Sequence, residues 1–166
     1  NPTYAHAYNN RGAAQNSLGK YNEAITDCTK AIELDPTFAN AYNHRGAAQH
    51  NLGKYNEAIA NYTKAIELNP TNAVAYIDRG AAKNSLGKYN EAIADYTKAI
   101  ELNPTHANAY GNRGITQNGL GQYNEAIADY TKAIELNPTY AKAYGNRGIA
   151  HKKLGQYNEA IADYTK

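Results

Sequence analysis

Apolar residues recur at intervals of three and four along the chain, which is the spacing that places them on one face of an α-helix. In the segment 55–68 this apolar stripe consists of Ala58, Ile59, Tyr62, Ala65 and Ile66. The segment before it has the same spacing and ends in Leu-Gly, where glycine suits a helix C-terminus because it adopts a positive φ at no steric cost. The pattern predicts a pair of helices joined by a Leu-Gly turn.

Prolines divide this pattern at a constant interval of 34 residues, at Pro2, Pro36, Pro70, Pro104 and Pro138. A proline ends a helix because the residue before it is displaced from the α region and its own nitrogen cannot donate a hydrogen bond. We therefore predict tandem helical hairpins in one domain over residues 1–166. The repeats span about 3–36, 37–70, 71–104, 105–138 and 139–166, the last truncated within its second helix.

The repeated text resembles the tetratricopeptide repeat family, whose pattern is an aromatic residue, a small residue, a Leu-Gly turn, Tyr, Ala, an aromatic, Ala and a closing Pro. In the third repeat these places hold Tyr76, Gly80, Leu86, Gly87, Tyr89, Ala92, Tyr96, Ala99 and Pro104. The resemblance implies an all-α fold, an α-solenoid of tandem antiparallel helix-turn-helix repeats. Such repeats form an open right-handed superhelix whose concave groove is lined by the first helix of each hairpin.

An arginine precedes the glycine of every first helix, where the family usually has an aliphatic residue. A partly buried arginine needs a partner, and an acidic residue recurs on four of the five second helices. A ligand-binding role for the arginines is the alternative. We expect structural pairs within each hairpin: Arg11–Asp27, Arg79–Asp95, Arg113–Asp129 and Arg147–Asp163, with Asn61 opposite Arg45 in the remaining repeat.

Other places on the first helices differ from repeat to repeat, and the resemblance implies that such places line the groove. The candidate partner-binding residues are Asn9, Asn10, Asn43, His44, Val74, Ile77, Asp78, Asn108, Asn112, Lys142 and Asn146. Asparagine carries donors and an acceptor, so a ladder of asparagines is suited to hold an extended peptide backbone. Ordinary polar surface is the alternative.

Val74 and Ile77 are apolar where the other repeats have Asn, Gly, His or Lys. They predict a pocket for a hydrophobic anchor of the partner. The alternative is that both are isolated apolar residues of the kind that every protein surface contains.

Charge and composition narrow the classes of partner. The chain has 17 basic and 15 acidic residues, interspersed, for a net charge of +2. This balance disfavours nucleic acid and anionic membranes as partners, and no apolar run reaches the ~20 residues of a membrane span. The single cysteine, Cys28, occupies a tyrosine place and is expected to be a small core residue. The sequence does not indicate the cellular compartment, and the cytoplasm is expected if the parent protein lacks a targeting segment.

No constellation of catalytic or metal-binding residues is present. The five histidines lie in different repeats or on different helix faces, and there is no His-Glu-x-x-His, Cys-x-x-Cys or phosphate-binding loop. We expect no catalytic residue, no metal and no cofactor, and therefore no enzyme.

The sequence predicts a protein-interaction scaffold that binds an extended peptide or partner segment. Two alternatives remain. One is a homo-oligomer formed by head-to-tail stacking, since the chain ends within a second helix and is expected to expose Tyr157, Ile161 and Tyr164. The other is an excised or engineered chain of near-identical repeats with no dedicated ligand.

Overall fold

The computed structural model describes residues 2–166, with side chains from residue 4 onward. This range contains ten α-helices and no β-strand. The helices are α1 (Pro2–Ser17), α2 (Tyr21–Leu34), α3 (Ala39–Asn51), α4 (Tyr55–Leu68), α5 (Ala73–Ser85), α6 (Tyr89–Leu102), α7 (Ala107–Gly119), α8 (Tyr123–Leu136), α9 (Ala141–Lys153) and α10 (Tyr157–Tyr164). Odd-numbered helices are the first members of the hairpins and even-numbered helices are the second members, which confirms the predicted all-α repeat.

The turn inside each hairpin has the geometry that its Leu-Gly sequence predicts. Gly53 has a φ of 75°, and the equivalent glycines of the other repeats have φ values from 73° to 78°. The N–H of Gly53 donates to the carbonyl of His50, and the N–H of Lys54 donates to the carbonyl of Gln49, both at 2.9 Å. These bonds satisfy the last carbonyls of α3 and end it.

Each complete second helix ends two residues before the proline that closes its repeat. In the loop that follows α2, Asp35 Oδ1 accepts hydrogen bonds from the backbone N–H of Thr37 at 2.9 Å and from its hydroxyl at 2.7 Å. Asparagine makes the same two bonds to threonine in the three later loops. These side chains fix the direction in which the chain enters the next hairpin.

The helices group into two compact units, one up to Leu86 and one from Gly87 to Lys166. In unit 1, helices α1 to α5 pack each against the next, and α1, α3 and α5 lie side by side. In unit 2, helices α6 to α10 pack in the same order, and α7 lies beside α9. The assignment of residues 1–166 to a single domain remains a prediction.

A glycine in the first helix allows the two helices of a hairpin to approach closely. A Cβ added at Gly46 would lie 2.8 Å from Cε1 of Tyr62, and one added at Gly114 would lie 2.8 Å from Cε1 of Tyr130, a fully buried residue. In the first hairpin Cys28 takes the tyrosine's place and is fully buried, as expected of a small core residue. A side chain at these glycines would displace the ring beneath it.

Candidate functional site

The arginines of the first helices hold the hairpins together. Arg113 in α7 donates from Nε and Nη2 to the two carboxylate oxygens of Asp129 in α8, each at 2.7 Å. Its Nη1 donates at 2.9 Å to the hydroxyl of Thr97, in the second helix of the preceding repeat. The hydrogen bonds to Asp129 raise the pKa of Arg113. This arginine joins three helices and has only 20% of its side chain exposed.

Two of the other predicted pairs have the same fork. Arg147 donates to Asp163 at 2.9 and 2.6 Å, and Arg11 donates to Asp27 at 2.5 and 2.6 Å. Arg11 differs in exposure, since 62% of its side chain is accessible to solvent against 19% for Arg147. The pairing of Arg79 with Asp95 remains a prediction; Arg79 donates to Thr63 at 3.2 Å, and Asp95 is buried.

The second hairpin has an amide in place of the carboxylate. Arg45 donates from Nε and Nη2 to Oδ1 of Asn61 at 2.9 and 2.8 Å. The amide nitrogen of Asn61 donates to Oε1 of Gln49 at 2.6 Å. The same two guanidinium nitrogens are bound, by one oxygen instead of two and without the counter-charge, and burial lowers the pKa of Arg45.

In unit 1, polar side chains of neighbouring first helices bind one another. Asn9 Oδ1 lies 2.8 Å from Nδ1 of His44, and the amide of Asn43 donates to Asp78 at 3.1 Å. The amide of Asn16 donates to the backbone carbonyl of His44 at 2.8 Å. Burial lowers the pKa of His44. The predicted asparagine ladder in this unit is therefore partly occupied by contacts within the chain.

The two members of the predicted apolar pair in α5 differ in exposure. Val74 is 46% exposed, but Ile77 is only 7% exposed, and Asn9 is 3% exposed. Ile77 occupies the repeat place of Asn9 and Asn43, and both asparagines contact the next first helix. Ile77 is therefore largely shielded from solvent, and its role in a pocket for a partner's anchor remains a prediction.

In unit 2 the same places carry smaller side chains. Gly111 and Gly145 replace the asparagines that contact the next helix in unit 1. The ring of Tyr140 lies against Gly111, because an added Cβ there would be 2.9 Å from its Cε1, whereas an added Cβ at Gly145 would meet no atom within 4 Å. The remaining predicted residues stay on the solvent side, where Asn108 and Lys142 are exposed and Asn112 and Asn146 are half-buried.

Sequence reasoning missed two exposed isoleucines in unit 2. Ile115 in α7 is 41% exposed and Ile149 in α9 is 42% exposed. They occupy the same place in successive repeats, and the first three repeats have Ala13, Ala47 and Ala81 there. The replacement of alanine by a larger apolar residue at a solvent-side place was the available signal.

The described residues contain no group of three His, Cys, Asp or Glu side chains that could hold a metal ion. Burial raises the pKa of the Cys28 thiol to about 11, so the thiol stays protonated at neutral pH. Within the same part of the chain, no helix combines the length and the apolar character that crossing a membrane requires.

Comparison with protein families gives matches along the chain. The family described as "Tetratricopeptide repeat" matches residues 5–38, 39–72 and 73–106, and a further profile of that description matches 95–128. A profile described as "TPR repeat" matches residues 118–155. A search of curated proteins gives no match.

Solved structures share the fold. A crystal structure of MamA protein is 28% identical with a TM-score of 0.84, covering 98% of this chain and 88% of that chain. MamA from Desulfovibrio magneticus RS-1, beginning at its residue 41, is 23% identical with a TM-score of 0.86, covering 98% and 92%. YrrB, described as a TPR protein with an unusual peptide-binding site, is 24% identical with a TM-score of 0.75, covering 94% and 80%.

Proposed function

The chain belongs to the tetratricopeptide repeat family, and we propose on that basis that it is a non-enzymatic scaffold whose first helices hold an extended segment of a partner protein. The observation that supports this proposal is the contrast between the two kinds of helix. The second helices repeat nearly the same text, with exposed Lys–Glu pairs such as Lys64–Glu67 and Lys132–Glu135. The solvent sides of the first helices differ in every repeat, which is where selection for a particular partner would leave its trace.

The comparison with solved structures supports the same class of function. YrrB is described as having a peptide-binding site, and its likeness to this chain is one of fold. Specificity in a shared fold depends on the residues that each chain displays. In this chain the displayed residues of unit 1 include Asn10 and Val74, and those of unit 2 include Asn108 and Ile115.

A peptide array probed with paired tryptophan variants tests the proposal. Asn40→Trp and Asn108→Trp add a bulky ring to exposed places on first helices of units 1 and 2. Ala60→Trp and Ala128→Trp add the same ring to exposed places on second helices of the same units. We expect peptides that bind the wild-type chain to lose binding to at least one first-helix variant and to keep binding to both controls.

Equal loss with the second-helix controls would contradict a first-helix site. A chain that binds no peptide on an array of broad composition would contradict the proposal as a whole. Circular dichroism of each variant verifies that the helices remain folded.

Self-association is a second candidate function, favoured by the exposure of α1 and α10. Tyr157, Ile161 and Tyr164 of α10 are 63%, 61% and 51% exposed, although the equivalent of Tyr164 in the previous repeat, Tyr130, is fully buried. Arg11 on α1 is also far more exposed than Arg113. A second copy that placed its α1 against α10 would cover both surfaces in the way that successive repeats cover each other.

Light scattering after size-exclusion chromatography tests this candidate. We expect the mass of the wild-type chain to rise with concentration and the mass of an Ile161→Lys variant to stay at the monomer value. A monomer mass for the wild type at every concentration would contradict self-association without affecting the first-helix proposal.

A further inference from the structure

We infer that the first helices of unit 2 bind an extended acidic segment that carries two apolar side chains three positions apart. The surface concerned, called the unit-2 face, consists of Asn108, Asn112 and Ile115 on α7 and of Lys142, Asn146, Ile149, Lys152 and Lys153 on α9. This inference rests on the proposed function and specifies the chemistry of its partner.

The unit-2 face is positively charged, and its two helices carry no acidic side chain to balance that charge. Lys142, Lys152 and Lys153 are exposed, and the sequences of α7 and α9 contain no aspartate or glutamate. The two arginines of these helices, Arg113 and Arg147, are instead bound to Asp129 and Asp163 on the second helices. The face therefore complements a partner that brings carboxylates.

Lys142 and Lys153 lie on one side of α9, together with an apolar residue. Residues 142, 146, 149 and 153 are separated by four, three and four positions, which places them along a single helix face. Ile149 thus lies between Lys142 and Lys153 on the solvent side. A partner segment that contacts Ile149 with an apolar side chain would have acidic neighbours within reach of lysine on both sides.

The second apolar contact comes from α7. Ile115 and Ile149 occupy equivalent places on adjacent helices, and packed helices lie about 8–10 Å apart. In a polyproline II chain, three residues span about 9 Å at about 3.1 Å per residue, and side chains three positions apart lie on the same side of the chain. Two apolar side chains separated by two other residues in the partner therefore match the two isoleucines.

Gly145 precedes Ile149 by one helical turn, and a Cβ added there would meet no atom within 4 Å. The corresponding Gly111 in α7 is covered by Tyr140. A larger side chain at residue 145 can therefore be introduced without displacing any described residue of unit 2.

The features of the face favour a peptide over nucleic acid. Three lysines neutralise few phosphates, so binding to a polyanion would be weak at physiological salt. Burial of the exposed isoleucines is favourable only against apolar groups of a partner. The described part of α7 and α9 also displays no exposed aromatic ring on this face on which a base could stack.

Fluorescence anisotropy with three labelled synthetic peptides tests the inference. The first has the sequence Asp-Glu-Leu-Thr-Asp-Leu-Glu-Asp, with its leucines three positions apart. The second, Asp-Glu-Thr-Leu-Leu-Asp-Glu-Asp, has the same composition with adjacent leucines, and the third replaces every acidic residue of the first by lysine. We expect the first peptide to bind at least about tenfold more tightly than either control.

Protein variants locate the contact. A variant combining Lys142→Gln, Lys152→Gln and Lys153→Gln should bind the first peptide about tenfold more weakly, with a reduced dependence on salt. The matched control, Lys64→Gln with Lys98→Gln and Lys132→Gln, removes the same charge from second helices and should bind within about twofold of wild type. Gly145→Leu adds a bulky side chain in open space one helical turn from Ile149 and should weaken binding while the chain stays folded.

Each outcome bears on either the inference or the proposed function. If the first and second peptides bind equally, or if the lysine control raises the dissociation constant about tenfold as the unit-2 variant does, the inference is wrong. Tighter binding of a labelled single-stranded oligonucleotide than of the first peptide also overturns it. If array peptides of other composition bind through the first helices and the acidic peptide does not, the inference fails and the proposed function stands.

Discussion

The first helices of the two units share a backbone and differ in what their polar residues do. In unit 1, Asn9 binds His44 and Asn43 binds Asp78, so neighbouring first helices are joined by side chains. In unit 2 the places of the two asparagines hold glycine, and the solvent side displays isoleucine and lysine instead. The comparison teaches that the first helices of one repeat scaffold either are joined by polar side chains or leave these places to glycine and display apolar and basic side chains nearby.

The scaffold itself is common to both units. In each, an arginine of the first helix forms a fork with the second helix and reaches a threonine of the preceding repeat, as Arg45 and Arg113 show. Stability is then a sum over hairpins and their interfaces. Differences between the units can be tested without disturbing the fold if substitutions avoid these contacts.

The largest expected effect comes from removing a carboxylate of the scaffold. Asp129→Ala leaves Arg113 partly buried without its counter-charge, and we expect a loss of about 3 kcal/mol in the free energy of unfolding. Asp129→Asn should cost only about 1 kcal/mol, because in unit 1 Oδ1 of Asn61 accepts from the equivalent two nitrogens of Arg45. Urea denaturation followed by circular dichroism measures both, and equal losses would contradict the role of the charge.

A smaller loss is expected from filling the glycine contact of the scaffold. Gly114→Ala places a Cβ 2.8 Å from the buried ring of Tyr130, and we expect a destabilisation of about 1–3 kcal/mol. The matched control is Gly119→Ala, where an added Cβ meets nothing within 4 Å, and alanine should stabilise the helix by roughly 0.5–1 kcal/mol. Thermal denaturation that shifts in the same direction for both variants would contradict the packing role of Gly114.

The polar contacts that distinguish unit 1 should contribute measurably to the free energy of unfolding. Asn9→Ala leaves the half-buried His44 ring without its partner, and we expect a loss of about 1 kcal/mol in the free energy of unfolding. Asn146→Ala, at a half-buried place in unit 2, should change stability by less than about 0.5 kcal/mol. Hydrogen exchange measures the protection of backbone amides in each unit separately. An equal loss of protection in the two variants would contradict the proposed difference between the units.

The smallest expected effect is a pH dependence that originates in unit 1. Burial lowers the pKa of His44 and of His50, both in α3, so the unfolded chain takes up protons first as the pH falls. The free energy of unfolding should be constant above the unfolded histidine pKa of about 6.5 and should decrease below it. Urea denaturation at several pH values checks this, and a variant with His44→Gln and His50→Gln that keeps the same decrease would contradict the assignment.

The periodic features of the fold were predictable from the sequence. Helix ends follow from local chemistry. The positive φ of Gly53 and the end of α2 before Pro36 depend on residues close in sequence and not on tertiary contacts. The Arg113–Asp129 fork followed from two residue types that recur together. Each of these features depends on contacts within one repeat or one turn, where spacing along the chain is sufficient.

The display of first-helix residues was less predictable, because it depends on which side of a helix faces its neighbour. Ile77 varies between repeats as a binding residue would, yet it is buried. Ile115 and Ile149 replace alanine and are exposed. Sequence variation alone does not separate a place between helices from a place in solvent, since both tolerate different side chains.

Chemical-shift mapping by NMR tests most directly the claim that unit 2 carries the free binding surface. The uniformly ¹⁵N-labelled chain is titrated with the acidic peptide that has leucines three positions apart. The account predicts that the amide shifts that change most lie in α7 and α9, around Ile115, Gly145 and Ile149. Changes concentrated in α1, α3 and α5, or on the second helices, would contradict it.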